Sequence, residues 1–267
     1  MHIKPKKSLG QHFLNSRSVL DKIVAAAKIE EGDTVLEIGP GTGVLTRELL
    51  GVGARVVAVE KDDRAIELLK RDFAEFIGDG RLQIIHGDIL ELDSKEYLPS
   101  EKKYSIVANI PYYITGAILQ KFLENEPRPE KMVLLVQKEV AERIVACDGK
   151  ESVLSVSVKA FGMPRIIAKV PRGAFTPPPK VDSAILEITG ISDSRFRESD
   201  ISIGHFFTIV KAGFAHKRKF LIRNLESEIE RGVLERIWSG LTLNKKTRAE
   251  DMKSENWFDL TAFLSTE

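Results

Sequence analysis

Short apolar runs alternate with helical patterns through the first two thirds of the chain. Runs rich in valine, isoleucine and leucine that end at turn residues are typical of buried strands. Apolar positions three and four residues apart separate these runs, as expected for helices that cover a sheet. The predicted strands span residues 35–38, 55–60, 81–86, 104–108, 132–137, 165–170 and 184–188. This alternation predicts an α/β, Rossmann-like domain with a mostly parallel seven-stranded sheet.

The pattern becomes helical beyond residue 190. Residues 190–202 are polar and acidic and are predicted to form a linker. Apolar residues then recur at helical spacing as far as Phe263. The chain therefore divides into a predicted domain over residues 1–189, with a basic N-terminal arm, and a small helical domain over residues 190–267. Residues 153–158 fit a helix and a strand equally well.

The net charge of +1 conceals three basic segments. Residues 1–20, 152–181 and 201–225 each hold four or five lysines and arginines and no acid. If these segments meet in space, they form a surface suited to the phosphates of a nucleic acid. The alternative is a set of solvated surface lysines. Three such segments in one chain favour RNA binding, with Lys217-Arg218-Lys219 as the predicted contact with the backbone.

Composition excludes several classes of protein. Cys147 is the only cysteine, so the chain has neither an internal disulfide framework nor a metal site built from several cysteines, and we expect no metal. No stretch approaches the roughly 20 apolar residues of a membrane span. The N-terminus shows no apolar signal segment. We therefore expect a soluble, cytoplasmic protein that binds no membrane.

Three glycines at alternate positions follow the first predicted strand and precede a helix. Gly39, Gly41 and Gly43 allow a tight turn against which a ligand can lie, because glycine has no Cβ. The order G-P-G-T-G differs from the G-x-G-x-x-G of dinucleotide sites, and Glu37 just before it would repel a pyrophosphate. A cationic nucleoside such as S-adenosylmethionine suits an acid at this position. A strand-to-helix turn of any other α/β protein is the alternative.

Two further acids stand at the ends of predicted strands. Glu60 ends the second strand, where it can accept hydrogen bonds from both ribose hydroxyls of an adenosine, although it could instead cap a helix. Asp88 follows the third strand, where it can accept the adenine amine, although Gly-Asp is also an ordinary turn signal. Both acids are predicted to face the cleft at the carboxyl ends of the strands.

The pentapeptide Asn109-Ile110-Pro111-Tyr112-Tyr113 follows the fourth predicted strand. An adenine amine is a poor nucleophile because its lone pair is delocalised into the ring. The Asn109 oxygen and the carbonyl of Ile110 or Pro111 can accept its two N–H groups and favour a tetrahedral nitrogen. Tyr112 can stack on the ring and align that nitrogen with a methyl donor. A strand-to-helix turn with a half-buried tyrosine is the alternative.

A proline-rich loop over residues 173–184 supplies a second aromatic candidate. Phe175 stands at its start, and an extruded base is often clamped between two rings. We therefore consider Phe175 as the partner of Tyr112. A phenylalanine packed beneath the loop is an equal alternative.

Five segments of the chain, taken in order and spacing, form a specific pattern. They are residues 9–14, 37–43, 109–113, 175–184 and 217–224. Together they resemble the ribosomal RNA adenine dimethyltransferase (KsgA-like) family, and the resemblance spans almost the whole chain. His12 and Ile110 depart from the bacterial pattern, which has asparagine and leucine there. The Ile110 form is closer to the archaeal and eukaryotic branch.

The resemblance implies a methyl donor, a target and a partner. It implies S-adenosylmethionine bound by His12, Leu14, Gly39, Glu60, Asp88 and Asn109, with S-adenosylhomocysteine as product. It implies a target adenine held by Asn109, Pro111, Tyr112 and Phe175. It also implies two methyl transfers to each of two adjacent adenosines near the 3′ end of small-subunit rRNA, during late assembly of the subunit. The expected partner is the small-subunit rRNA or the precursor subunit, and the expected state is a monomer.

Three other functions remain open from the sequence. An erythromycin-resistance type methylase would modify large-subunit rRNA with the same sheet motifs. An RNA-binding ribosome-assembly factor would need catalysis only secondarily. A dehydrogenase would bind a nicotinamide cofactor.

Overall fold

The computed structural model describes residues 3–6, 9–98 and 103–265. Contacts along the backbone group the chain into two units. The first comprises the described residues up to Ala141 together with Pro164–Ile191, and the second comprises Glu142–Met163 with the described residues from Ser192 onwards. The predicted domain boundary at residues 189 and 190 stays a prediction, and the contacts additionally group residues 142–163 with the C-terminal helices.

The strands and helices alternate as the apolar pattern predicts. The strands are β1 Phe13–Leu14, β2 Thr34–Ile38, β3 Arg55–Glu60, β4 Leu82–His86, β5 Tyr104–Asn109, β6 Lys131–Gln137, β7 Met163–Val170, β8 Phe175–Thr176 and β9 Ser183–Thr189. The helices are α1 Arg17–Ala27, α2 Val44–Gly51, α3 Asp63–Asp72, α4 Ala74–Gly78, α5 Thr115–Glu124, α6 Lys138–Val145, α7 Val153–Lys159, α8 Ser194–Glu198, α9 Ile203–Phe214, α10 Leu221–Leu225, α11 Arg231–Gly240 and α12 Ser254–Ser265. All seven predicted strands are present, each within two residues of its predicted ends.

Seven strands form one sheet in the order β4-β3-β2-β5-β6-β9-β7. The pairs β4–β3, β3–β2, β2–β5 and β5–β6 are parallel, and β9 lies antiparallel to β6. The chain moves outwards from β2 to β4 and then returns to the other side of β2 as β5. The order of strands therefore reverses between β2 and β5, which is where open α/β sheets bind their ligands. The predicted mostly parallel, seven-stranded sheet is confirmed.

The core of the first unit lies between the sheet and the helices that cover it. Strands β2, β3, β5 and β6 are buried along nearly their whole length, since their apolar side chains are covered on both faces. Helix α1 adds an apolar stripe of Val19, Leu20 and Ile23. Burial of this continuous apolar surface fixes the strand ends on which the site is built.

Local capping decided two points that the pattern left open. Asp62 precedes α3, and its carboxylate accepts the Arg64 backbone N–H, so Asp62 caps the helix and Glu60 does not. Residues 153–158 form helix α7, because Ser152 and Ser155 make a reciprocal capping box at its start. A capping box stabilises only a helix, so it resolves the ambiguity between helix and strand.

The second unit is helical, with a cluster of aromatic rings at its centre. Phe196 lies 5.0 Å from Phe161, 5.3 Å from Phe206 and 4.9 Å from Phe258, measured between ring centroids. Phe196 belongs to α8, within the segment predicted to be a linker. That prediction is wrong for residues 194–198, because a short helix there inserts a buried ring into the core of the unit.

Two further features bear on expectations from the sequence. The N-terminal arm contains a two-residue strand, β1, which pairs antiparallel with β8 and was not predicted. In residues 3–6, 9–98 and 103–265, the structure contains no helix with the length and apolar character needed to cross a membrane.

Candidate active site

A cavity of about 270 Å³ lies at the carboxyl ends of β2, β3, β4 and β5 in the first unit. It is lined by the glycine turn, by the residues that follow β3, β4 and β5, and by residues 9–14 of the N-terminal arm. Of the predicted site residues, it brings together His12, Leu14, Gly39, Glu60, Asp88, Asn109, Pro111 and Tyr112. Phe175 is not among the residues that line it.

The three positions of the turn require glycine for different structural reasons. All three have positive φ, of +66°, +57° and +75° for Gly39, Gly41 and Gly43, which other residues adopt with strain. A Cβ on Gly43 would lie 2.5 Å from the Phe73 ring, and one on Gly41 would lie 3.0 Å from the Phe13 ring. A Cβ on Gly39 would meet nothing within 4 Å, so the space beside Gly39 is open.

Glu60 holds the glycine turn from the end of β3. Its carboxylate accepts the backbone N–H of Gly41 at 3.0 Å and the backbone N–H groups of Lys61 and Asp62 at 2.8 Å each. The side chain is 6 % exposed. Burial raises the pKa of Glu60, and the three backbone donors counteract that rise in part. Oε1 already accepts the N–H groups of Lys61 and Asp62, whereas Oε2 accepts only that of Gly41, so Oε2 keeps a lone pair for one ribose hydroxyl.

Glu37 is a buried acid within the same cavity wall. It is 2 % exposed, and its Oε2 accepts a hydrogen bond of 2.6 Å from Thr46 Oγ1. Burial raises the pKa of Glu37 to about 8, with a smaller contribution from the charge of Glu60. The carboxyl is therefore largely neutral at pH 7 until a positive charge comes near it.

Asp88 is paired with a lysine at the mouth of the cavity. Its Oδ2 accepts Lys61 Nζ at 2.6 Å and its Oδ1 accepts the Leu90 backbone N–H at 3.0 Å. The hydrogen bond from Lys61 lowers the pKa of Asp88. An adenine amine that contacted Asp88, as predicted, would share the carboxylate with Lys61.

The N-terminal arm is fixed to the proline-rich loop. Phe13 pairs with Thr176 and Leu14 with Phe175 across the two short strands. His12 Nδ1 lies 2.8 Å from the Pro177 carbonyl, so Nδ1 carries the proton and donates it. These contacts place His12 and Leu14 against the cavity, as the resemblance implies.

The arm is also held at the β3 edge of the cavity, through Asp62. Asp62 Oδ2 accepts Gln11 Nε2 at 2.9 Å, and Arg64 binds both carboxylate oxygens. The hydrogen bonds from Arg64 lower the pKa of Asp62. Arg64 in turn donates to the Lys4 carbonyl at 2.9 Å. The arm is therefore attached on two sides of the cavity.

Asn109 is the last residue of β5, and its side chain has a defined orientation. Asn109 Nδ2 donates to the His12 carbonyl at 3.1 Å. Reversing the amide would place two acceptors against each other, so the hydrogen bond leaves Oδ1 as the acceptor available to a ligand. This is the orientation that the predicted amine contact requires.

Tyr112 stands in a single turn of 3₁₀ helix, Tyr112–Ile114, directly after Pro111. Its hydroxyl lies 2.5 Å from Ser183 Oγ, and Ser183 is fully buried. Burial raises the pKa of Tyr112, so the phenol stays protonated. The ring is nearly parallel to His12, with an angle of 17° and 6.2 Å between centroids. The buried Ser183 thus holds the hydroxyl of Tyr112, and Tyr112 also lines the cavity.

Phe175 lies elsewhere. Its ring is 2 % exposed and belongs to the apolar core with Leu14 and Val170. The alternative interpretation, a phenylalanine packed beneath the loop, describes this position. A direct contact between Phe175 and a base stays a prediction.

Four side chains contribute to the site without having been predicted for it. They are Gln11, Thr46, Lys61 and Ser183. Each acts by contacting another site residue, and partners that are distant along the chain leave no periodic or spacing signal. Gln11 and Ser183 lie in two of the five segments that form the recognised pattern, residues 9–14 and 175–184, so the sequence could have indicated them. Thr46 and Lys61 lie outside all five segments.

The cavity has the features that S-adenosylmethionine requires. The open space beside Gly39 gives room for the ligand, since a Cβ there would meet no protein atom within 4 Å. Glu60 provides a carboxylate suited to hydroxyl groups, and Glu37 provides a buried carboxyl group that ionises when a cation binds beside it. Asn109 faces the same cavity from the next strand. A mostly parallel sheet with an acidic pocket beside a G-P-G-T-G turn is typical of a Rossmann-like methyltransferase that uses S-adenosylmethionine as methyl donor.

A family model described as ribosomal RNA adenine dimethylase matches residues 2–266. The chain belongs to this family. Among its relatives, the ribosomal RNA small subunit methyltransferase A of Dehalococcoides mccartyi is 44 % identical over 257 residues, which cover 96 % of this chain and 87 % of the relative. The protein of that name from a Nostoc species is 39 % identical, covering 99 % of this chain and all of the relative. Both relatives are bacterial, so they give the predicted archaeal and eukaryotic affinity no support, and it stays a prediction.

Solved structures agree with this family. A dimethyladenosine transferase from Plasmodium falciparum superposes with a TM-score of 0.79 at 28 % identity, covering 93 % of this chain and 96 % of that one. The 23S rRNA methyltransferase ErmE gives a TM-score of 0.72 at 26 % identity, covering 95 % and 99 %. The comparisons confirm the predicted fold class, the methyl donor and the activity of an rRNA adenine dimethyltransferase.

Proposed function

We propose that this protein transfers methyl groups from S-adenosylmethionine to the N6 atoms of two adjacent adenosines near the 3′ end of small-subunit rRNA. The observation that carries the proposal is the orientation of Asn109 at the end of β5. Its Nδ2 is engaged by the His12 carbonyl, so its Oδ1 is the acceptor that faces the cavity. The identity of 44 % to a small-subunit enzyme favours this subunit over the large one.

Two oxygens hold the amine of the target base. Asn109 Oδ1 accepts one N–H group. The Pro111 carbonyl already accepts the Ile114 backbone N–H at 3.2 Å, so the carbonyl of Ile110 is better suited to accept the other. Together they draw the nitrogen towards a tetrahedral geometry and make its lone pair nucleophilic. Pro111 itself contributes a fixed backbone and a surface for the base.

The bound methyl donor supplies a methyl group on a positively charged sulfur, which is already an activated leaving group. No strong base is therefore required of the protein. The residues that would hold the donor are His12, Leu14, Gly39, Glu60, Asp88 and Asn109. Their role is to fix its position beneath the amine, which accelerates transfer by proximity and orientation.

Tyr112 provides the ring on which the target base stacks. Ser183 fixes the phenol at 2.5 Å, so the ring is held before any substrate arrives. His12, nearly parallel to Tyr112, extends this aromatic wall. Phe175 supports the wall through the pairing of β8 with β1. A closer role for Phe175, with its ring on the base, remains part of the proposal and requires it to leave the core.

The basic loop of the second unit, residues 215–220, is suited to an RNA backbone. Lys217, Arg218 and Lys219 are all exposed. Asn224 Nδ2 donates to the carbonyl of Gly213 at 2.6 Å and to that of His216 at 3.2 Å, which fixes the start of the loop. A preorganised loop loses little entropy when its cations meet phosphates. That the three acid-free segments form one continuous basic surface remains a prediction.

We infer that the partner is small-subunit rRNA within a precursor subunit. The protein is proposed to act as a monomer in the cytoplasm and to bind the subunit late in its assembly. The test is incubation of the protein and labelled S-adenosylmethionine with undermethylated small subunits, followed by mapping of the labelled base. We expect dimethyladenosine at two adjacent positions. A parallel incubation contains undermethylated large subunits. Label confined to large-subunit rRNA, or no label in either RNA, would contradict the proposal. An Asn109→Ala variant that still supports assembly would favour the assembly-factor alternative.

A further inference from the structure

A tyrosine ring stands exposed at the rim of the cavity. Tyr113 follows the proposed stacking residue Tyr112 and lines the same cavity. Its exposed fraction is 68 %, the highest of the large apolar side chains among the described residues. A single exposed ring is ordinary on a protein surface, so what matters for Tyr113 is its position at the rim of the cavity, where its face is accessible to a ligand.

The ring rests against the N-terminal arm. A Cβ on Gly10 would lie 3.2 Å from Tyr113 Cε1 and 3.4 Å from its Cδ1. Gly10 has a φ of +61°, so both the backbone conformation and the nearby ring favour glycine there. The short turn after Pro111 fixes the backbone of Tyr113 through the hydrogen bond from Ile114. Tyr113 is therefore supported on the side of Gly10 and open to solvent elsewhere.

Extrusion of a base leaves its neighbours in the strand without a stacking partner. A base that reaches Asn109 must pass the rim, so the next nucleotide stays close to the rim. An exposed aromatic ring stacks on an unpaired base without regard to its identity. Lys61 also lines the cavity and its side chain is 58 % exposed, but its Nζ is paired with Asp88 Oδ2 at 2.6 Å, so the subsite depends on the ring of Tyr113 and not on this cation.

We propose that Tyr113 is a stacking platform for the unpaired nucleobase next to the target adenosine. The proposal rests on the proposed function and adds a second base-binding subsite to it. Tyr112 holds the base that is methylated, and Tyr113 replaces the stacking that its neighbour loses. The platform stabilises the extruded arrangement, so it acts on the binding of RNA and not on the binding of the methyl donor.

The experiment combines protein variants with altered RNA. Small subunits are reconstituted with rRNA whose 3′ segment is a ligated synthetic fragment. It carries an abasic nucleotide on the 5′ side or on the 3′ side of the one adenosine whose labelling is followed, and on one of these sides the abasic nucleotide takes the place of the second target. Methyl transfer in a single turnover, at subunit concentrations below saturation, is measured for wild type, Tyr113→Ala and Tyr113→Phe. Ile77→Ala serves as the control, since Ile77 is an exposed apolar residue that does not line the cavity.

We expect Tyr113→Ala to lower the rate about tenfold, which is the range that loss of one stacked base produces, and Tyr113→Phe to stay within about twofold. One of the two abasic substitutions should lower the wild-type rate about tenfold and leave the rate of Tyr113→Ala unchanged. The affinity of Tyr113→Ala for S-adenosylmethionine, measured by calorimetry, should equal that of wild type.

Two results would overturn the proposal. One is a rate for Tyr113→Ala equal to that of wild type. The other is an abasic effect of the same size in wild type and in Tyr113→Ala, which would show that the ring and the neighbouring base act independently. Failure of the proposed function would look different, because the wild-type protein would then label neither adenosine in the unaltered subunit.

Discussion

Asn109 Nδ2 donates a hydrogen bond of 3.1 Å to the carbonyl oxygen of His12, and so joins the end of the central strand β5 to the N-terminal arm. The same bond orients the amide and holds the arm against the cavity. One side chain therefore couples the proposed acceptor of the target amine to the segment that is proposed to contact the methyl donor.

Replacement of Asn109 should abolish most of the activity. Asn109→Ala removes the acceptor, and we expect methyl transfer to fall about 100-fold or more, as for loss of a group that positions the transition state. Asn109→Asp keeps the shape but cannot donate to the His12 carbonyl, so it should also be severely impaired. The measurement is single-turnover transfer to undermethylated subunits. Asn125→Ala, an exposed asparagine at the end of α5, is the matched control and should retain full activity.

Substitutions of Phe175 test whether its ring packs in the core or contacts the target base. Because its ring is buried in the core, Phe175→Ala should lower the free energy of unfolding by about 3–5 kcal/mol. Phe175→Leu keeps most of the volume and should retain activity within a few-fold. Denaturant unfolding and methyl transfer are measured on the same preparations. A Phe175→Leu protein that is stable but has lost activity would support a direct contact between the Phe175 ring and the base.

Glu37 should make stability depend on pH. Its pKa is about 8 in the folded protein and near its ordinary value of 4.5 in the unfolded chain. The folded state therefore binds the extra proton between these values, and the free energy of unfolding falls as pH rises from about 4.5 to about 8. Glu37→Gln keeps the acceptor for Thr46 and removes the charge. It should be more stable than wild type at pH 9, by on the order of 5 kcal/mol, and close to it at pH 4.5.

The surface variant Glu67→Gln is the control for this experiment and should follow the wild-type curve. Unfolding curves that fall in parallel for wild type and Glu37→Gln would show that Glu37 does not cause the dependence. Calorimetry adds a second measurement, because a cationic methyl donor favours the ionised carboxylate. Binding of S-adenosylmethionine at pH 7 should then release a proton from wild type and none from Glu37→Gln.

Glu60 holds the glycine turn and is proposed to bind the methyl donor. In Glu60→Gln, the amide NH₂ group would face one of the three backbone N–H groups that the carboxylate now accepts. We expect a loss of about 1–3 kcal/mol in the free energy of unfolding and at least tenfold weaker binding of S-adenosylmethionine. Thermal unfolding and calorimetry test the two effects. Glu75→Gln, on the exposed surface of α4, should change neither, and unaltered donor affinity in Glu60→Gln would remove Glu60 from the donor site.

Gly43 should not tolerate a side chain. A Cβ there would lie 2.5 Å from the Phe73 ring, and the φ of +75° is strained for alanine. Gly43→Ala should therefore lower the free energy of unfolding by about 2–4 kcal/mol. Gly43 precedes helix α2 and Gly51 is its last residue. Gly51→Ala is the control, because a Cβ on Gly51 meets nothing within 4 Å. Equal stability of the two variants would contradict this explanation.

The sequence by itself determined the sheet, the donor edge and the chemistry. Short apolar runs bounded by turn residues, such as residues 55–60 and 132–137, are typical of buried strands, and both are strands in the structure. The glycines and Asn109 stand at strand ends, where parallel topology brings residues together. These features are local, so they are legible along the chain.

Only the tertiary structure decided which side chains meet. The pairing of Leu14 with Phe175 and the contact of Tyr112 with Ser183 join residues far apart in sequence, and no period records such contacts. The burial of Phe175 follows from the first pairing, because the short sheet turns its ring into the core. The helix that replaced the predicted linker depends on the space that surrounding rings leave for Phe196. The polar residues of 190–202 predicted an exposed linker, whereas the burial of the Phe196 ring made residues 194–198 a helix.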